Sequence, residues 1–154
     1  MTDRQNDAKK WLKKLGDYSR RVDTERRTLE MLQHRLYKGV ANYENGPGQH
    51  DAEIARAAYE DSMIECSVQA DRVEGAQLAY TSELENVRRV LECLPAYLYA
   101  VAVDRYINGI KWEQIEDIHH YSKSTVARYN LDILDHVADY LERHPERIQQ
   151  AAAV

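Results

Sequence analysis

Phenylalanine is absent from this 154-residue chain, and glycine and proline are scarce, at six and three residues. A sheet punctuated by Gly/Pro turns would need more of both, so the composition leans toward long helices. Collagen-like, disulfide-scaffold and disordered classes are excluded on the same grounds. The two cysteines, Cys66 and Cys93, lie in helix-like apolar patterns with no CxxC spacing, as expected of a reducing compartment. Long apolar runs are missing as well: Cys93 to Val103 spans 11 residues, well short of the roughly 20 that cross a bilayer. The start, Met1 to Asp7, is polar and lacks a signal-peptide core, so a cytoplasmic protein with no membrane partner is expected.

What is present is charge, at 31% of residues, unevenly spread. Residues 1–38 hold 11 Lys/Arg against 6 Asp/Glu, residues 39–95 hold 4 against 11, and residues 96–154 hold 6 against 9, summing to the net −5. A basic first segment beside an acidic second favours their pairing. The other reading has Lys9, Lys10, Lys13, Lys14, Arg20, Arg21, Arg26 and Arg27 touching nucleic acid.

Periodicity organises the first two thirds. From Ala8, alternate steps of three and four meet Trp11, Leu15, Tyr18, Val22, Glu25, Leu29, Leu32 and Leu36, eight of nine apolar. This is a heptad seam, with Asp7 as the expected N-cap and Gly39 as the expected stop. Gly39 to His50 is turn-rich around Asn45-Gly46-Pro47-Gly48, and Asp51 is the next expected cap. A second seam, stepped by four and three, runs Tyr59, Met63, Cys66, Ala70, Val73, Gln77, Tyr80, Leu84, Val87, Leu91 and Leu94, closed by Pro95. Two seams joined by a short loop predict an antiparallel, coiled-coil-like hairpin over residues 1–94, pairing Tyr37 with Asp51 and Trp11 with Gln77. Leu84 to Leu94 then overshoot the first helix, so the C-terminal helices or a second chain must cover them; a homodimer is expected. Glu25 and Gln77 interrupt the seams and are candidates for fixing register.

Residues 95–154 carry the chemistry. Tyr97 to Ile107 reads as a mostly buried helix stopped by Asn108-Gly109. Lys111 to Ile118 is a short amphipathic helix with Trp112, Ile115 and Ile118 inward, and His119-His120-Tyr121 is a turn. Ser122 caps a helix from Lys123 to about Arg143, whose inner face is Val126, Tyr129, Ile133, Leu134, Val137 and Leu141. Short helix, tight turn and capped longer helix make a helix-turn-helix, and the fold class is all-α. Lys123, Ser124, Thr125, Ala127 and Arg128 fall on the outward first turns of the second helix. Lys123 and Arg128 suit phosphates or guanine edges, Ser124 and Thr125 suit bases or phosphate oxygens, and Ala127 permits close approach.

The run Asp104-Arg105-Tyr106-Ile107-Asn108-Gly109-Ile110-Lys111-Trp112-Glu113-Gln114-Ile115, followed by His120-Tyr121-Ser122-Lys123-Ser124-Thr125-Val126-Ala127-Arg128, resembles small phage proteins related to late transcription activators of the RinA and ArpU type. In that family the C-terminal module looks like region four of bacterial sigma factors. The Lys10-Trp11-Leu12 helix, the Gly-rich loop and the long second helix also look like it. Two positions depart from the pattern: Lys111 stands where a capping Ser or Thr is usual, and Glu116-Asp117 stand where Ala commonly follows the Ile. The resemblance implies a phage or prophage DNA-binding regulator of late genes in the bacterial cytoplasm, with double-stranded DNA, RNA polymerase and a second copy as partners. Rival readings are a non-enzymatic coiled-coil adaptor and a small terminase-like packaging subunit.

Other candidate chemistry is thin. Adjacent His119 and His120 diverge and have no further ligand at metal spacing, so neither a metal site nor a cofactor is expected. Gly46-Pro47-Gly48 lacks the Lys-Ser/Thr of a phosphate loop, and no carboxylate joins a recognisable catalytic pattern; the chain reads as no enzyme.

Overall fold

A computed structural model describes the backbone of residues 1–44 and 49–152, and the side chains of residues 1–39 and 52–148. Every regular element among them is helical: α1 Asp3–Glu44, α2 Gln49–Leu91, α3 Ala96–Ala102 running on into a π-helical segment Val103–Ile107, α4 Trp112–His119, α5 Lys123–Arg143 and α6 Pro145–Ala152. The fold is all-α, a helical hairpin followed by a helix-turn-helix.

The long helices overrun their expected limits. α1 starts before Asp7, because Thr2 and Gln5 form a reciprocal cap: the Gln5 N–H donates to Thr2 Oγ1 at 3.3 Å, and the Thr2 N–H donates to Gln5 Oε1 at 2.9 Å. At the other end the helix passes straight through Gly39, which keeps a negative φ. A lone glycine weakens a helix by only about 1 kcal/mol against alanine, so it stops one only where a left-handed residue is needed. α2 begins at Gln49, which puts Asp51 inside its first turn rather than at its cap. The expected turn centre, Asn45 to Gly48, lies outside the described residues.

Packing divides the chain into two compact units, residues 1–19 with 79–154, and residues 20–78. The expected boundary at 94/95 falls inside the first. There, one core joins the start of α1 (Ala8, Trp11, Leu12, Leu15), the end of α2 (Val87, Val90, Leu91), Leu98 and Val101 of α3, Ile115 of α4, and Val126, Ile133, Leu134, Val137 and Leu141 of α5. The apolar overshoot of α2 is therefore covered by the C-terminal helices of the same chain. Charge assists: Arg4 is paired with Asp139 and with Glu142, the latter at 2.7 Å, and Gln5 donates to Asp135 Oδ1 at 2.9 Å.

In the second unit α1 keeps its expected seam, with Val22 buried and Glu25, Leu29, Leu32 and Leu36 half-buried. α2 does not. It turns in Tyr59, Ser62, Cys66, Gln69, Val73 and Ala76, a three-then-four stepping, while Met63 and Ala70 face outward. Tyr59, Cys66 and Val73 belong to both steppings, and neighbours three and four residues away lie close to one face in either frame. The tie is broken by hydrogen bonding. The Gln69 amide donates to the Glu25 carbonyl at 3.0 Å and to the Glu25 carboxylate, so the polar pair sits inside the seam. The expected pairing would have set Met63 against Glu25; the later end of α1 moves the register. Glu25 does interrupt the seam of α1, with Gln69 as its partner; Gln77 falls beside the seam position Ala76 rather than on it, and accepts from Arg26 at 2.9 Å.

Candidate nucleic-acid interface

The helix-turn-helix stands on α3. After Ala102 that helix widens to i to i+5 bonding, in which the Asn108 N–H reaches the Val103 carbonyl at 2.9 Å. The widened turn presents three successive side chains to the two helices that follow. Asp104 Oδ2 lies 2.7 Å from His119 Nε2 at the end of α4. Arg105 donates to the Ile110 carbonyl at 3.2 Å and lies over the Trp112 ring, 5.1 Å from its centroid. Tyr106 donates its hydroxyl to Asn130 Oδ1 of α5 at 2.7 Å and meets Trp112 edge-on. Burial pushes the Tyr106 phenol up to about 12. Gly109 then turns the chain at φ +69°, as the Asn-Gly pair predicts.

The turn proper is tight. His120 takes a left-handed conformation at φ 57°, ψ 39°, and its N–H closes α4 on the Glu116 carbonyl. Tyr121 stacks on His119 at 5.9 Å and meets the edge of Tyr129 at 5.1 Å, which in turn packs on Tyr97 at 5.2 Å. Ser122 caps α5 as its spacing predicts, accepting the Thr125 N–H at 3.2 Å. α4 departs from expectation at one residue: Ile118 is exposed, because the next residue, His119, is the one drawn inward by Asp104. Lys111 precedes α4 with no side-chain cap, so the first N–H groups of that helix keep no side-chain partner from it.

The five residues singled out for DNA contact lie together on the first two turns of α5. Lys123, Ser124, Ala127 and Arg128 are exposed; Thr125 is half-buried. Thr125 is also committed locally, its hydroxyl 2.8 Å from Ser122 Oγ, and Ser124 Oγ lies 3.2 Å from the same atom. Arg128 lies over the neighbouring Tyr129 ring at 5.6 Å. The acidic side chains Asp135, Asp139 and Glu142 are farther along α5, engaged by Gln5 and Arg4, and Arg4 holds Asp139 below the usual carboxylate range. Among the described residues, no group of three or more His, Cys, Asp or Glu comes together as a metal site would require. No helix among them is long and apolar enough to cross a membrane.

Asp104, Arg105, Tyr106 and Asn130, which hold the two helices in place, had no role in the reading by spacing. Asp104, Arg105 and Tyr106 lie within the run that carries the phage-protein resemblance, whereas Asn130 lies two residues beyond it and had no signal. No protein-family model, curated protein or solved structure matches this chain.

Proposed function

We propose that this protein is a DNA-binding transcriptional regulator of the phage late-gene type, not an enzyme, whose α5 enters the major groove of double-stranded DNA. The observation that carries this reading is the free tip of α5. From Ser122 onward, Lys123, Ser124, Ala127 and Arg128 face solvent, and the turn beneath them is fixed by the Ser122 cap and the His119–Tyr121–Tyr129 stack. Recognition helices need such a tip, with small and hydrogen-bonding side chains at the groove and cations for phosphate. Lys111, exposed just before α4, adds a cation at a second helix start. Operators read by such modules are commonly two half-sites, which suits a pair of chains. Contact with RNA polymerase is part of the same proposal and rests on the resemblance alone.

Fluorescence anisotropy against a pool of duplexes over a salt series tests it. Affinity should fall linearly in log–log form as salt rises. Arg128→Ala should cost about 1–3 kcal/mol, and Lys123→Ala should reduce the salt slope by about one. Absence of duplex binding at low salt, or indifference to Arg128→Ala, would refute the reading. One observation favours a protein-binding adaptor instead: Ile118 is 53% exposed and Leu131 39% exposed on the two helices of the module. A duplex that fails to compete with protein partners for this face would support that alternative.

A further inference from the structure

Among the described residues, three buried polar atoms without a hydrogen-bond partner, Glu83 Oε1, Asn86 Nδ2 and Arg147 Nε, belong to residues that line one cavity, formed by α2 and α6. Its volume is about 120 Å³, close to the ~150 Å³ of a void that admits a benzene ring. Native proteins leave few such atoms unbonded, and each calls for a cause. Glu83 and Asn86 are 5% and 7% exposed and stand three residues apart on one face of α2. Seven residues before the buried Val90, Glu83 occupies a row where an apolar side chain would pack without the cost of desolvating a charge.

Arg147 reaches this face from α6 and donates from Nη1 to Asn86 Oδ1 at 3.3 Å. Its Nε belongs to the other edge of the guanidinium, the one that takes a carboxylate through two parallel N–H bonds. The two further charges in the lining, Glu85 and Arg89, are paired with each other at 3.0 Å. What is left over is one acceptor that is negative when ionised, one cation with an N–H to give, and an amide N–H between them in the inventory.

We propose that this cavity binds a small zwitterion of amino-acid size, its ammonium on Glu83 and its carboxylate on Asn86 and Arg147. An anion alone would add to the charge of Glu83 and a cation alone to that of Arg147, and either would leave one buried group unanswered. A neutral amide would satisfy the hydrogen bonds and neither charge. A molecule that carries both signs answers all three atoms at once.

Isothermal titration calorimetry of the full chain with glycine, alanine and serine tests this, with acetate and methylammonium as the separate halves. At least one amino acid should bind saturably, and each half about tenfold or more weaker. Glu83→Gln keeps the shape and removes the charge, and should lower the affinity by about tenfold or more; so should Arg147→Lys, which keeps the charge and loses the parallel bonds. Circular dichroism checks the fold of each variant, and the comparison of whole ligand with its halves uses the wild-type chain alone. No saturable heat from any of the three at millimolar concentration would mean that water alone fills the cavity. That result, halves that bind as tightly as the amino acids, or binding indifferent to Glu83→Gln would each overturn the proposal, and none of them depends on contact with DNA.

Discussion

The Tyr106–Asn130 bond ties α5 to the segment beneath it, and the Tyr106 ionisation makes that tie measurable. Burial is the largest cause of the raised phenol, with the nearby Arg105 charge acting weakly in the other direction. An unfolded tyrosine ionises near 10, the folded one near 12. A folded-state value above the unfolded one means that the stabilisation is complete below pH 10 and is lost as pH climbs toward 12. Two pH units correspond to about 2.7 kcal/mol. Tyr106→Phe removes this titration along with the hydrogen bond. At neutral pH the variant forfeits a part-buried bond and leaves the Asn130 carbonyl without its donor, a loss of about 1–1.5 kcal/mol. As pH rises the wild type weakens and the variant, at this position, does not. The two stabilities should therefore cross near pH ~11. Urea unfolding of both proteins at a series of alkaline pH values, followed by far-ultraviolet circular dichroism, reads the difference while cancelling the lysines and other tyrosines common to both. Parallel curves with no crossing would refute the reasoning, because they would mean that Tyr106 ionises as easily in the folded protein as in the unfolded chain.

Three further outcomes follow from local geometry. Gly39→Ala should raise the urea midpoint by the equivalent of up to about 1 kcal/mol, since Gly39 is interior to α1 and open around its Cβ; a loss of stability would mean that Gly39 is a left-handed stop after all. His120→Gly should stabilise by a few tenths to about 1 kcal/mol in thermal unfolding, because the relief of left-handed strain outweighs glycine's greater entropy in the unfolded chain; a lower melting temperature would show that the imidazole is itself needed in the turn. Burial pushes the Glu83 carboxyl up, against a weaker pull from Lys14, and Oε1 has no partner. A raised carboxyl contributes best while protonated and loses that contribution as pH rises through its folded value, so Glu83→Gln should be more stable than wild type at neutral pH and lose the advantage in acid. An advantage that persists undiminished in acid would sink this account.

How far the sequence could be read depends on the range of the interaction involved. The Ser122 cap, the end of α5 at Arg143 and the Asn108-Gly109 stop were legible because each is local chemistry between residues a few positions apart. The Thr2-x-x-Gln5 cap was equally local and its signature was there to be read, yet an apparent cap at Asp7 hid it. The inward face of α4 was legible at Trp112 and Ile115 and failed at Ile118, where a contact with Asp104, fifteen residues earlier, turns the helix end. Between Tyr59 and Ala76, stepping by heptads found half the inward positions of α2 and not the other half. Apolar residues flank the seam on both sides, so hydrophobicity alone favoured Met63 and Ala70, and only the bond from Gln69 to Glu25 selects the other frame.

The same distinction bears on the charge of the C-terminal region, whose excess of acids argues at first sight against DNA. Formal charge is a sum, whereas a duplex meets a field at particular places. Asp104 is spent on His119 and on the Asn108 amide, at 2.7 and 3.2 Å. Asp139 and Glu142 are spent on Arg4, and Asp135 on Gln5. These acids lie in the base of the module or toward the far end of α5, about 16 Å from Arg128 to Asp139 along the helix, beyond a physiological Debye length. Arg4 comes from the basic start of α1, which by composition alone was expected to serve the acidic α2. It turns instead to α5, so the pairing of opposite charges answers the acids in the tail of that helix, whereas Asp132, one turn along from Arg128, and Glu116 and Asp117 of α4 are not among the acids so paired, and in the proposed role Lys123 and Arg128 must outweigh these three at the tip.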